Sequence, residues 1–422
     1  MLAAVGRSSI GELFTQIPPS VRLDRPLAID DGVSEMELVA DLRSLAARNR
    51  SADDLICFAG GGAYDHFVPG VVWALVGRSE FYTSYTPYQP ELSQGVLQAL
   101  FEYQSMICEL TGLDVSNASL YDGATSLVEA VHMTIGAART RVLVSSGVDP
   151  RAVEALRTAG RGAGYEAEVF EGAPEVTDDV AAVVVQHPNV YGVLEPAREH
   201  FAAASAAGAR AIQIFDPLSL GVLASPGELG ADIAVGEGQV LGNHLNYGGP
   251  YLGIIAGRTA DVRKLPGRIV GETVDVEGRT GYVLTLQARE QHIRRDKANS
   301  NICTNQTLMA IAAAIYLAWL GPEGLVEVGR QCMSKAAYAA RAVTDLPGVS
   351  PAFPGEACFK EFAVRLPRPA TAVIEAMVER GFLAGVAMPQ AGDDVLVVAV
   401  TERRSREEID GFVAALGEVL AA

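Results

Sequence analysis

Two short stretches of this chain carry residues able to hold a charged aromatic cofactor. "IQIFDP" ends an apolar run with Asp216, a carboxylate at the tip of a strand. Placed there, it could keep a pyridine nitrogen protonated, the state in which such a ring acts as an electron sink. "DGATSLVEA" (Asp122 to Ala130) opens a helix with glycine and small hydroxyl residues, Thr125 and Ser126 among them. The free N–H groups and dipole of such a helix start favour a phosphate. Each signal also has an ordinary reading. Ser and Thr at helix starts serve as caps, and Asp-Pro commonly just ends a strand.

Pyridoxal phosphate joins those two ends in one molecule and adds a third requirement, a lysine that forms a Schiff base with it. In enzymes of this kind the lysine follows a strand or two after the aspartate. The chain has only four lysines, Lys264, Lys297, Lys335 and Lys360. The segment where one is needed reads "ADIAVGEGQVLGNHLNYGGPYLG", and no lysine lies between Asp216 and Lys264. Lys264 falls in a polar loop beyond the next strand, Lys297 in a basic connector, and the other two in the C-terminal domain. The pattern suits the cofactor and lacks its covalent anchor.

Other chemistry is weakly signalled. "GEGQVLG" is one residue too long for a dinucleotide-binding G-x-G-x-x-G and lacks the following βαβ context. Neither G-x-S-x-G nor H-E-x-x-H occurs. The six histidines lie far apart and read as satisfied polar residues, so no metal site is expected. The five cysteines are scattered and never form C-x-x-C, which fits reduced thiols.

The elements that must position Asp216 and the helix start can be read from periodicity. "RVLVSS", "YEAEVFE", "VAAVVVQ", "RAIQIFD", "ADIAVG" and "YLGIIAG" are apolar strands, the early ones separated by helical stretches such as "PRAVEALRTAG" and "EPAREHFAAASAAG". Strands without polar alternation, separated by helices, imply a mostly parallel sheet covered on both faces. After Pro322 the pattern changes to a long helix, then "CFKEFAVRL", "FLAGVAM", "DVLVVAVT" and a last helix from Ser405. The expected fold class is α/β, with the layout of type I pyridoxal-phosphate-dependent transferases: a large, mostly parallel sheet domain and a smaller C-terminal α+β domain. The expected divisions are an N-terminal arm over residues 1–80, the large domain over 81–320 and the small domain over 321–422.

Composition excludes some partners. Across 422 residues, 33 basic side chains face 51 acidic ones, a net charge of −18. Nucleic acid and anionic membrane both require basic surface, so neither is expected. The N-terminus lacks the pattern of a secretory signal. The longest apolar run, Leu308 to Leu320, has 13 residues. A bilayer span needs roughly 20, so a buried core helix in a soluble, cytoplasmic protein is expected.

One loop stands out. "YTSYTPYQPELSQG" (Tyr82 to Gly95) holds three tyrosines and two prolines with no charge before Glu91. Loops are usually polar and solvated. A stiff aromatic loop normally lies against something.

That block, with "IGELFTQIPPSVRLDRPLAI", "FAGGGAYDHFVP", "HPNVYGVLE", "VGEGQVLGNHLNYGGPYLG" and "REQHIRRDKANSNICTNQTLMA", resembles one family nearly end to end. It is the P-protein of glycine cleavage systems in its split bacterial form, and the match is to the α subunit, subunit 1. The resemblance implies that this chain has no catalytic residue of its own. Gln239-Val240 stand about where the lysine-bearing β subunit has histidine-lysine. It implies that pyridoxal phosphate is anchored on that β subunit and that two α and two β chains assemble as a heterotetramer. Their reaction is the decarboxylation of glycine, with the aminomethyl group passed to the lipoyl arm of the H-protein.

It further implies a loop roofing the partner's site through Tyr85, Tyr88 and Gln89, or else merely packing a subunit contact. Ser300, Asn301 and Thr304, with Arg294 or Arg295, could reach a phosphate across the interface, or form a solvated helix entry. Thr125, Ser126, His187 and Asp216 would then outline a vestigial cofactor pocket. Two rival readings remain: a self-sufficient enzyme using Lys264 or Lys297, and a purely structural or regulatory partner subunit.

Overall fold

The computed structural model describes all 422 residues. Met1–Ser51 forms a unit of its own. It contains one helix of length, Glu35–Ala46, started by a capping box in which the Ser34 hydroxyl and the Glu37 carboxylate serve each other's backbone. The unit builds no buried core of its own, although Phe14, Ile29, Leu38 and Leu42 are large and apolar.

Ala52–Ala422 is the second unit. The arm expected over residues 1–80 therefore ends at Ser51 as a separate body. Residues 52–80 belong to the main body because their apolar side chains have places in its core. Ile56–Cys57 pairs in parallel with Phe382–Leu383, and Phe58 stacks on Phe412 at 4.3 Å. No helical or strand period in this glycine-rich stretch announces that role.

The large sheet has seven strands. Their order is Val115–Ser116, Gly253–Gly257, Ile233–Glu237, Arg210–Phe215, Val180–His187, Arg141–Ser145, Glu166–Phe170. The last five are mutually parallel, and Gly253–Gly257 runs antiparallel to Ile233–Glu237. Val180 to Val185 are all buried, as befits a strand sandwiched between helical layers. The amphipathic helix Pro150–Ala163 starts at an Asp149 cap and stops at Gly164, whose φ of 77° suits the left-handed cap.

Between the loop of Lys264 and the basic connector lies an antiparallel hairpin, Ile269–Val274 with Thr280–Thr285. Its turn is fixed by the Asp275 carboxylate, which accepts the N–H groups of Glu277 and Arg279.

Helix Thr307–Thr344 bends at Gly321, with φ 61° and ψ −179°, just before Pro322. By length and composition it could cross a membrane, but Met309 to Ala314, Tyr316 and Leu317 are buried in the core of this body. The C-terminal sheet has four antiparallel strands, ordered Ser350–Pro351, Glu361–Arg365, Val395–Ala399, Val386–Ala387. Helices Ala370–Val378 and Arg406–Ala421 share its core.

Candidate active-site cavity

Strand ends from both sheets meet around Asp216. This residue follows strand Arg210–Phe215, and its Oδ1 accepts the Leu218 N–H at 3.0 Å. Its Oδ2 lies 2.6 Å from Nζ of Lys360, which enters from the start of the small-domain strand Glu361–Arg365. Lys360 is 1% exposed. Its Nζ also sits 3.0 Å from His66 Nε2 and 3.5 Å from the centre of the Tyr64 ring. A buried ammonium is tolerable only with such partners: a carboxylate, a ring nitrogen and an aromatic face.

The chain of contacts continues. Lys360 has only hydrogens to give, so His66 Nε2 accepts, and the ring proton sits on Nδ1, 2.6 Å from Glu402. Burial, then Lys360, lowers the His66 pKa, which favours that neutral ring. Burial alone would raise Glu402, but its contacts with His66 and the Phe67 N–H outweigh it and hold the carboxyl at about 2. Cys332 approaches the same carboxylate at 3.6 Å. His66, Cys332 and Glu402 thus lie together, a grouping of potential metal ligands that sequence spacing does not reveal. Here they are joined by their own hydrogen bonds beside an ammonium.

At the start of helix Gly123–His132, the Asp122 side chain accepts the Thr125 N–H at 2.7 Å, and the Ser126 hydroxyl donates to the Asp122 carbonyl at 2.9 Å. The Gly123 N–H goes to Glu237 Oε2 at 3.0 Å. Glu237 Oε1 accepts the N–H groups of Gln239 and Leu252, each at 3.0 Å. The approach at 123 is close: a Cβ there would stand 3.1 Å from the Glu237 nitrogen. Burial lifts the Glu237 carboxyl to about 7 in spite of these donors.

Glu361 accepts from the Gly61 N–H and the Tyr64 hydroxyl, both at 2.8 Å, and burial lifts it too to about 7. Gln239 is 1% exposed and clasps the Tyr64 backbone through both ends of its amide. Asp216, Glu237, Val240, Lys360, Glu361 and Tyr64 are among the residues around a cavity of about 70 Å³. Small-molecule pockets usually run to about 300–1,000 Å³. As arranged, these residues do not fit pyridoxal phosphate: the space is too small, and the groups that would hold its two ends are already engaged.

The residues singled out in the sequence are distributed as follows. Asp216 lines the cavity. Thr125 and Ser126 stand at the helix start and bond within it. His187 ends the neighbouring strand in register with Phe215, with its Nδ1 buried and unpaired, but does not line the cavity. Lys264 donates to the Met133 carbonyl at 3.1 Å, Lys335 donates to the Glu402 carbonyl, and Lys297 is exposed. The sequence had assigned Lys360 to the C-terminal domain, away from Asp216. It belongs to that domain yet reaches the aspartate, because the strand carrying it points at the large sheet. Glu237 and Glu361 were missed as well. The available signal for Lys360 and Glu361 was "CFKEF", two charges at the mouth of an apolar strand.

The tyrosine-rich loop is held by Arg268, itself 5% exposed, which donates to the Tyr88 hydroxyl at 3.1 Å and the Thr86 hydroxyl at 3.4 Å. The Arg268 carbonyl accepts the Ala118 N–H, and the Ala118 carbonyl accepts from Asn305. Residues 115–119 therefore link the loop to the connector holding Ser300, Asn301 and Thr304. Tyr85 is 75% and Tyr88 55% exposed, and Gln89, Asn301, Thr304, Arg294 and Arg295 are also exposed. Ser300 is half-buried and accepts the Ile302 N–H.

This sheet order with a small antiparallel domain defines a class, the pyridoxal-phosphate-dependent enzymes of fold type I. Sphingosine-1-phosphate lyase of Burkholderia pseudomallei matches with a TM-score of 0.66 at 17% identity, covering 94% of this chain and 92% of that one. A cysteine desulfurase of Escherichia coli matches at 0.64 and 13%, covering 88% and 96%. Those likenesses carry the fold alone. The family model described as "Glycine cleavage system P-protein" matches residues 1–416. Subunit 1 of glycine dehydrogenase (decarboxylating) of Chlorobium limicola is 51% identical, over 99% of this chain and 96% of its own length. Its counterpart from Moorella thermoacetica is also 51% identical, over 100% and 97%. A crystal structure of glycine decarboxylase (P-protein) of the glycine cleavage system, in inhibitor-bound form, matches with a TM-score of 0.94 at 47% identity, covering 100% and 97%. The chain belongs to the glycine cleavage system P-protein family, in its subunit 1 branch.

Proposed function

We propose that this chain is the subunit of a two-part glycine decarboxylase that does not anchor the cofactor. With a lysine-bearing β subunit it would decarboxylate glycine on pyridoxal phosphate and pass the aminomethyl group to the lipoamide arm of the H-protein. The assembly is two α and two β chains in the cytoplasm, and this chain is inactive alone. The observation that carries the reading is the engagement of Lys360: the one lysine at the cavity is bonded to Asp216 and His66. A Schiff-base lysine must instead be free to attack an aldehyde.

The exposed loop supports a role at the partner. Tyr85, Tyr88 and Gln89 face outward on a backbone stiffened by Pro87 and Pro90 and anchored by Arg268. In this reading they reach the partner's substrate or cofactor, and Ser300, Asn301 and Thr304 approach its phosphate.

Tyr88→Phe and Gln89→Ala in the reconstituted complex test this. Each removes one hydrogen-bonding group and should slow glycine exchange by roughly ten- to a hundredfold, with assembly unchanged by gel filtration. Full turnover in both would reduce the loop to packing and favour a purely structural or regulatory subunit.

A further inference from the structure

We propose that this chain excludes pyridoxal phosphate by holding its own side chains where the cofactor's two ends would go: the Glu237 carboxyl at the start of helix Gly123–His132, and the Lys360 ammonium on Asp216. The inference rests on the reading that the cofactor belongs to the partner, and it supplies a physical cause for that division.

Consider the anionic end. A phosphate at this helix start would need the N–H groups that face the cavity. The Gly123 N–H is bonded to Glu237, and the same carboxyl also holds the N–H groups of Gln239 and Leu252. A carboxyl satisfied by three backbone donors has no comparable place to move to.

At the cationic end, the partner of Asp216 in a loaded site would be the ring N–H. Here Lys360 takes that place at 2.6 Å. The ring nitrogen and the aldehyde-bearing carbon lie at opposite ends of a pyridine. An amine sitting on Asp216 therefore competes with the ring and is not positioned to condense with its aldehyde. Lys360 is further fixed by His66 and the Tyr64 face, and the adjacent Glu361 by Gly61 and the Tyr64 hydroxyl. Both residues come from the small domain, so the buried pair also ties that domain to the large sheet. The pattern of charge, an acid at the helix start and a base on the aspartate, reproduces that of the absent molecule.

The test uses the full chain at a pH above the range where Glu237 titrates. Wild type and the double variant Glu237→Ala, Lys360→Met are dialysed to equilibrium against pyridoxal phosphate, with folding checked by circular dichroism. Wild type should retain none in the cavity. The double variant should bind about one per chain, roughly tenfold or more tighter than wild type, and release it on dialysis. A second measurement does not depend on the variant's folding: borohydride treatment of wild type incubated with the cofactor, followed by peptide mass mapping, should leave Lys360 unmodified. Modified Lys360, stoichiometric uptake by wild type, or a folded double variant that binds no better than wild type would each overturn the proposal. The outcomes are distinguishable: a folded double variant that binds no better than wild type overturns the plug alone, whereas modified Lys360 would overturn the reading of function with it.

Discussion

Lys360, Asp216, His66 and Glu402 form a line of charge and hydrogen bonding in which each member answers for its neighbour's burial. Removing one partner strands another. Lys360→Met leaves a buried carboxylate without its cation and should destabilise the fold by about 3–5 kcal/mol in urea denaturation. Adding Asp216→Asn should recover part of that loss, since the two positions share one interaction. The buried acids make stability depend on pH. Glu237 and Glu361 titrate near 7 in the fold against an ordinary value of 4.5, so the fold binds their protons more tightly than the unfolded chain does. Their contribution is fully present below 4.5 and is lost as pH rises towards 7. Glu402, held at about 2, acts oppositely: its contribution is present above 4.5 and is lost as pH falls towards 2. Glu361→Gln should therefore flatten the decline between about pH 5 and about pH 7, by on the order of 2–3 kcal/mol, read as urea midpoints across that range.

Two elements owe their form to a single contact each. The loop of residues 84–89 has no regular hydrogen-bond ladder, and Arg268 supplies its anchor through Thr86 and Tyr88. Arg268→Ala should leave the sheet intact while amide exchange in this loop speeds up by at least roughly tenfold, which hydrogen-exchange mass spectrometry would resolve. Protection equal to wild type would show that the prolines alone hold the loop. The turn at Gly192 is the second case. Its φ is 85°, and a Cβ there would run into the Glu361 carbonyl. Gly192→Ala combines backbone strain with a backbone clash, and should cost about 2 kcal/mol or more in thermal or urea unfolding.

As a whole, the molecule is a cofactor-type fold with a filled cavity, an exposed aromatic loop and an N-terminal unit that buries none of its apolar side chains in a core of its own. Such a surface suits permanent association. Co-expressed with a lysine-bearing partner subunit, the chain should co-elute with it through an interface larger than about 2,000 Å², and separate elution would end the heteromer reading. Val240→Lys tests whether a lysine alone could restore chemistry. Val240 is 2% exposed beside the cavity, so an added ammonium would meet Lys360 and the filled helix start. The variant should show no glycine decarboxylation without the partner, because misplacement of a reacting group by about 1 Å can cost a hundredfold. Detectable turnover by the single chain would refute this.

What the sequence by itself determined was local. The strands, the long helices and their caps follow from periods and end signals spanning a few residues, and the lysine inventory and the tyrosine-rich block needed no structure to be seen. The hairpin Ile269–Val274 with Thr280–Thr285 was missed because its faces are half-exposed and its composition reads as a connector. The contacts that decide the cavity join residues far apart in the chain. Glu237 meets Gly123 across 114 positions, and Lys360 meets His66 across 294. No period or motif links such pairs. Only the order of strands in the large sheet, and the direction in which the small-domain strand enters it, brings a lysine from the C-terminal domain onto Asp216. Charge in a sequence is read as solvated until a fold buries it, so the side chains that fill this cavity were visible as letters and became legible as a plug only in three dimensions.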